Sequence, residues 1–283
     1  VYNDGRSEEI VGRAIREHRH HWVLATKFGQ RFGKGPNETG QSRKWIFQSV
    51  EASLRRLGTD YIDLLYFHRA DVNAPFEEPL RAIQDLISQG KVRYYGVSNF
   101  RGWRIAEICR AADAIGMDRP LASQPLYNMV DRQSEVEQLP AAWHYGIGVV
   151  SYSPLARGVL TGKYAKDAPP PEGSRVARGD VRIKQTEWRP ESVEIAQAVA
   201  KHAAAKGMTS VTFALAWVLR NRLVSAAIAG PRTEQQWDDY LPALDAQLGP
   251  EDEAFVDSLV PPGHASTWGY TDPAYPIEGR QPR

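Results

Sequence analysis

Apolar residues recur along the chain in two alternating patterns. Stretches in which they fall three and four residues apart give way to short, nearly continuous apolar runs, which predicts helices and buried strands in turn. Ser7 is expected to cap a first helix, with Glu8 and Glu9 in its opening turn and Ile10, Val11, Ala14 and Ile15 on its inner face. Residues 20–29 read as a strand. Ser42 opens the next helix, whose apolar stripe is Ile46, Val50, Leu54 and Leu57, and Gly58 is placed to end it. A strand at 61–67, a helix carrying Leu80, Ile83, Leu86 and Ile87 and stopping at Gly90, and a strand at 92–97 continue the rhythm. Ile105, Ile108 and Ala112 face inward on another helix, followed by a short strand at 121–125 and a stronger one at 147–152. Pro169, Pro170, Pro171 and Gly173 mark a long loop. Helices at 191–205 and 210–220, a strand at 225–229 and a last helix capped by Thr233 follow, before a tail of Pro, Gly and aromatics.

Strands buried on both faces and separated by helices imply parallel pairing, because each return crossover needs a helix. Six such strands are expected. That number suits either an open doubly wound sheet or an eight-stranded barrel lacking its first two strands. No domain linker, fixed-period repeat or low-complexity tract interrupts the pattern, so one domain over residues 1–283 is expected, with 261–283 as its tail.

A length of 283 residues suits a single large α/β domain, and 42% apolar residues supply its core. With 35 Lys and Arg against 34 Asp and Glu, the net charge of +1 offers no general field for nucleic acid or an anionic membrane. Small molecules are the expected partners. Cys109 is the single cysteine, which excludes an intrachain disulfide and favours a reducing, cytoplasmic setting. No apolar run approaches a membrane span, and the first residues lack the charge-then-apolar order of a signal peptide.

Several motifs are missing. A dinucleotide-binding Gly-x-Gly-x-x-Gly does not occur, and neither does the Gly-x-Ser-x-Gly of a hydrolase elbow. Gly29 to Lys34 and Gly158 to Lys163 imitate a phosphate loop but are one residue too short between their glycines. His18, His20 and His21 lack a second ligand cluster and read as a solvated helix end rather than a metal site. Trp103, Trp143 and Trp217 fall on helical faces and are expected to pack. Lys27 and His68 are different, because each appears where a buried strand runs out, which in a parallel barrel is the mouth where polar groups converge.

Six segments carry a resemblance in common. Val1-Tyr-Asn-Asp-Gly-Arg-Ser-Glu-Glu, Ala25-Thr-Lys-Phe-Gly, Asp63-Leu-Leu-Tyr-Phe-His, Gly96-Val-Ser-Asn-Phe, Tyr152-Ser-Pro-Leu-Ala-Arg-Gly and Gly230-Pro-Arg-Thr, in this order, resemble the aldo-keto reductase superfamily. Among its branches the chain is most similar to bacterial reductases related to the β-subunits of voltage-gated potassium channels. The resemblance implies a (β/α)8 TIM barrel that binds NADPH without a dinucleotide fold, the strands counted above being the third to the eighth. It also implies an aspartate and two strands before Val1, without which weaker catalysis is expected.

On this likeness Tyr2 is the proton donor, Lys27 the cation that lowers its pKa, and His68 the imidazole that orients the substrate carbonyl. Ser98, Asn99 and Gln124 match the trio that holds the nicotinamide carboxamide, and Tyr152 stacks on the ring. Ser153, Leu155, Arg157 and Lys163 match the segment over the pyrophosphate, with Arg175 closing over it. Arg232, in the Gly230 motif, meets the 2′-phosphate, and Gln236 and Asp239 contact the adenosine end. Tyr240 stands where relatives often have Asn. Trp268, Tyr270 and Tyr275 belong to a tail that can border the substrate cleft. The implied activity is NADPH-dependent reduction of small aldehydes or ketones; the alternative is an NADPH-binding sensor or interaction subunit with little turnover.

Overall fold

Strand and helix alternate along the chain in a computed structural model that describes residues 2–71, 74–166, 168–277 and 279. In chain order the elements are α1 (Arg6–Ile15), β1 (Ala25–Phe28), α2 (Arg43–Leu57), β2 (Ile62–Phe67), α3 (Glu77–Ser88), β3 (Val92–Ser98), α4 (Gly102–Ala114), β4 (Ala122–Gln124) and α5 (Gln138–His144). There follow β5 (Gly148–Ser151), α6 (Val181–Gln185), α7 (Pro190–Ala205), α8 (Ser210–Arg220), β6 (Ala226–Ala227), α9 (Glu234–Asp238) and α10 (Pro250–Leu259). The chain divides into two compact units, one of Val1–Gln124 with Ala141–Gly148 and one of Pro125–Pro140 with Val149–Arg283. Val1 at the head of the first motif, and residues 278 and 280–283 of the tail, lie outside the described residues.

In the first unit β1, β2, β3 and β4 pair in sequence order and in parallel, with Ala25 beside Leu64, Leu64 beside Tyr94 and Gly96 beside Ala122. The buried run of β2 explains its place between two neighbours: Ile62, Leu65, Tyr66 and Phe67 are all enclosed. Phe67 meets the rings of Phe28, Phe76, Tyr95 and Phe100, so this end of the sheet carries an aromatic core. Gly96 is needed here, because a Cβ would lie 2.6 Å from the Ala122 carbonyl oxygen and 2.7 Å from the Tyr66 ring.

Helix α2 follows its local signals. The Ser42 side chain accepts from Trp45 N, and Gly58 ends the helix in the left-handed region at φ 65°. Helix α1 does not follow the expected pattern. Its cap is Gly5, Ser7 lies within it, and Ile10 and Val11 are exposed while Gly12 and Ile15 are buried. The reason is a close backbone approach: a Cβ on Gly12 would sit 2.2 Å from the Leu57 carbonyl oxygen, so the face without a side chain is the one that packs on α2.

The strand expected at 20–29 shortens to Ala25–Phe28. Asp63 Oδ2 accepts from Leu24 N at 2.9 Å and from Arg19 Nη2 at 2.7 Å, and Trp22 and Val23 point into solvent. A side-chain carboxylate thus takes the place of a strand acceptor before β1 begins.

In the second unit β5 pairs in parallel with β6, Val150 beside Ala226 and Ser151 beside Ala227. Pro190 opens α7, and Thr209 caps α8 by accepting from Thr212 N. Val193, Val199 and Ala203 on α7 and Phe213, Trp217 and Val218 on α8 supply its buried apolar positions. The strand expected at 225–229 has only two residues, and α9 is not the last helix. Helix α10 follows, started by Pro250 and by Asp252, whose Oδ2 accepts from Gly249 N at 2.7 Å. Trp217 packs as expected and donates to Glu253 Oε2 at 2.9 Å, whereas Trp103 and Trp143 are more than half exposed.

The described elements are therefore α/β, with strand pairing parallel in each unit. Among the described residues no helix is long and apolar enough to cross a membrane.

Candidate active site

Tyr2, Lys27 and His68 come from three separate segments of the first unit. Tyr2 precedes a turn in which Asn3, Asp4 and Gly5 all take positive φ, at 48°, 51° and 89°, before α1 begins. Two of these are not glycine, so the turn carries backbone strain of the kind that collects at functional sites. Lys27 lies on β1 and His68 follows β2, next to one another through the pairing of those strands. Tyr2 Oη stands 3.2 Å from His68 Nε2, and Lys27 Nζ lies 5.1 Å from the centre of the Tyr2 ring. All three open on a cavity of about 770 Å³.

Burial governs the charges here. It lowers the Lys27 ammonium from 10.5 to about 8, because an ion removed from water is poorly solvated. His68 is lowered to about 4, first by burial and then by the positive charges of Lys27 and Arg69. Near neutral pH the pair is an ammonium beside a neutral imidazole, so one imidazole nitrogen carries a proton and the other a lone pair.

Ser98, Asn99 and Gln124 also meet in this unit. Ser98 Oγ donates to the Gln124 carbonyl oxygen at 2.9 Å, and Asn99 Nδ2 donates to Ser98 Oγ and to the His68 carbonyl oxygen, both at 3.0 Å. Asn99 adopts φ 59°, which Asn tolerates better than most residues. The Gln124 side chain is hydrogen-bonded to the Tyr66 phenol, whose pKa is raised by burial. The trio thus ties the ends of β2, β3 and β4 together around His68.

The other expected residues belong to the second unit. Ser153, Ala156, Arg157 and Gly158 all have positive φ, so the segment after Tyr152 is strained over a short span. Leu155 is buried, and its carbonyl oxygen accepts from Gly158 N and Leu160 N within the turn. Arg157 is committed to a protein partner: its Nε donates to Glu187 Oε2 at 2.9 Å. Burial raises the Tyr152 phenol well above its ordinary range.

Lys163 is lowered by burial and by the charges of Arg175, Arg178 and Arg232, and its Nζ is the nearest atom to a Cβ built on Gly158. Four cations thus gather beside the strained turn, with Asp180 on Arg175 at 3.3 Å. Arg232 N donates to Gln236 Oε1 at 2.8 Å and its Nη1 reaches the Gly173 carbonyl oxygen at 3.5 Å. Asp239 accepts from Gln235 and, like exposed Gly230 and Gln236, sits near the surface on the chain around α9.

Arg178 escaped the sequence reading, since no apolar pattern or motif surrounds it. So did the partner of Arg157, Glu187, which stands in a polar stretch with no spacing to single it out.

Residues 1–261 match the family model described as the aldo/keto reductase family. The chain belongs to that family. Its fold is the (β/α)8 barrel, and the parallel strands alternating with helices are those of part of one. A protein of Arabidopsis thaliana described as a probable voltage-gated potassium channel subunit beta is 39% identical over 260 residues, 87% of this chain and 76% of that one. An L-glyceraldehyde 3-phosphate reductase of Escherichia coli O157:H7 is 30% identical over 276 residues, covering 93% and 78%. An uncharacterized oxidoreductase of Bacillus subtilis, YrpG, is 34% identical over 282 residues, covering 96% and 82%.

Proposed function

We propose that this aldo/keto reductase uses NADPH to reduce the carbonyl group of small aldehydes or ketones to alcohols. One observation carries the reading: a phenol 3.2 Å from a neutral imidazole, with an ammonium 5.1 Å from the phenol ring, at one cavity. Reduction of a carbonyl places developing negative charge on its oxygen, which must be stabilised and protonated. Tyr2 Oη is the donor of that proton. Lys27, as a cation beside the ring, favours the phenolate that forms and so eases the transfer. His68, neutral, contributes a hydrogen bond that holds the carbonyl oxygen at a set angle.

The donor set of the second unit fits a cofactor bearing phosphates. Lys163, Arg175, Arg178 and Arg232 provide more positive charge than Asp180 balances, and guanidinium groups grip phosphate through paired charge-assisted hydrogen bonds. This supports NADPH over NADH, with Arg232 and Arg175 as ligands of its phosphates. When bound, the reduced nicotinamide supplies the hydride equivalent. Gln236 and Asp239 complete the adenosine end, and small aldehydes or ketones are the expected partners.

A second reading, an NADPH-binding sensor or interaction subunit, is favoured by relatives described as potassium channel β-subunits. NADPH oxidation measured over a panel of small aldehydes and ketones separates the two. Turnover that Tyr2→Phe abolishes while cofactor binding persists supports the reductase. Tight NADPH binding with no consumption for any member of the panel leaves only the sensor.

A further inference from the structure

At the cavity that Tyr2 and Lys27 line, a carboxylate joins three elements. Glu8, in the first turn of α1, accepts from Thr26 Oγ1 through Oε1 and from Arg56 Nε through Oε2, both at 2.6 Å. Thr26 is the neighbour of Lys27 on β1. Arg56 belongs to α2, where its guanidinium also reaches Ser53 Oγ at 3.4 Å and lies 4.8 Å from the centre of the Phe32 ring. Its Cδ occupies the space where a Cβ on Gly5 would fall, at 2.6 Å, so Arg56 packs directly on the turn that follows Tyr2. The side chains of Glu8 and Arg56 are 18% and 21% exposed, enough burial to make loss of either bond costly.

The turn from Asn3 to Gly5, which leads from Tyr2 into α1, is left-handed throughout. A strained turn holds its shape when its surroundings over-determine it. The two bonds accepted by Glu8, just after the turn, do this: one reaches the strand that carries Lys27, the other the helix against which the turn rests.

We propose that Glu8 is a positioning residue of this site: by tying α1 to Thr26 and Arg56 it sets the separation between the Tyr2 phenol and the Lys27 ammonium. The inference rests on the reductase reading above. Its effect is geometric, so it acts on the reacting phenol through the placement of Tyr2 rather than by touching substrate.

The test is a comparison of Glu8→Ala, Thr26→Val and Thr26→Ser in the whole protein, with kcat, KM and the pH dependence of kcat measured for each alongside urea unfolding. Misplacement of reacting groups by about 1 Å can cost about 100-fold in rate. Glu8→Ala is therefore expected to lower kcat by about 10-fold to 100-fold with little change in KM, and to move the alkaline limb of the kcat profile to higher pH as the phenol loses its ammonium. Thr26→Val, which keeps shape and removes the donor, is expected to reproduce part of this loss. Thr26→Ser, which restores the hydroxyl, recovers most of it.

Because both changes remove the bond between Glu8 and Thr26, their effects in Glu8→Ala/Thr26→Val combine to less than their sum. Lower stability in Glu8→Ala with kcat and its pH profile unchanged overturns the proposal, and so do additive effects or equal behaviour of the Val and Ser variants. Absence of carbonyl-dependent NADPH consumption in the wild-type protein instead overturns the reductase reading, so the two failures are told apart.

Discussion

Replacing Lys27 with Met is predicted to stabilise the protein and to impair it at once. Burial holds the ammonium at about 8 instead of 10.5. A gap of about 2.5 in pKa, at about 1.4 kcal/mol for each, corresponds to about 3 kcal/mol by which the charged lysine opposes folding. The sign follows from proton counts. Between about pH 8 and pH 10.5 the unfolded chain holds the proton and the folded chain does not, so stability rises with pH across that window and the full cost is present below it. Met preserves the aliphatic stem and removes the charge.

Lys27→Met is therefore expected to gain about 2 to 3 kcal/mol near neutral pH and to show none of the wild-type rise across that window. His68 should titrate at higher pH in the variant, since the charge of Lys27 is one cause of its lowering to about 4. Carbonyl reduction should fall sharply, a trade of activity against stability. Urea unfolding near pH 7 and pH 10, with imidazole titration by NMR, measures all of this. A Met variant no more stable than wild type at neutrality, or a wild-type stability that stays flat over the window, refutes the account.

Other consequences can be checked in the same way. Acidification from about pH 6.5 to 4 is expected to cost about 3 kcal/mol through His68 alone, because a base with a depressed pKa is protonated preferentially in the unfolded chain; His68→Phe should flatten that part of the stability profile. Arg232→Ala should weaken NADPH binding by about 10-fold to 100-fold, as expected for a lost charge-assisted hydrogen bond, and leave NADH nearly unaffected in calorimetry. Equal losses for both cofactors would place the 2′-phosphate elsewhere. Gly12→Ala should cost about 1 to 3 kcal/mol in urea unfolding, since its methyl group meets the Leu57 carbonyl at 2.2 Å.

What could be read from the sequence was whatever depends on a few neighbouring residues. Helix α2 runs between Ser42 and Gly58, and α8 covers Ser210–Arg220, because caps and apolar spacing act over one or two turns. Strand β2 was legible for the same reason, as an apolar run long enough for both faces to be covered. The likeness carried by six short motifs also lies in local order, and it led to the family that the match over residues 1–261 shows.

Folding alone decided what depends on distant segments. Gly12 packs while Ile10 and Val11 face solvent, because α1 must approach α2 closely. Trp103 and Trp143 stand on helices as expected but remain more than half exposed, with the Arg104 guanidinium 4.6 Å from the centre of the Trp103 ring. Arg178 joins Lys163, Arg175 and Arg232 only once the loop after Pro171 has folded back, and Glu8 meets Thr26 and Arg56 across separations of 18 and 48 residues. A residue's type and spacing set its intrinsic preferences, whereas burial, charge and the partner at the far end of a hydrogen bond are properties of the space it shares with others.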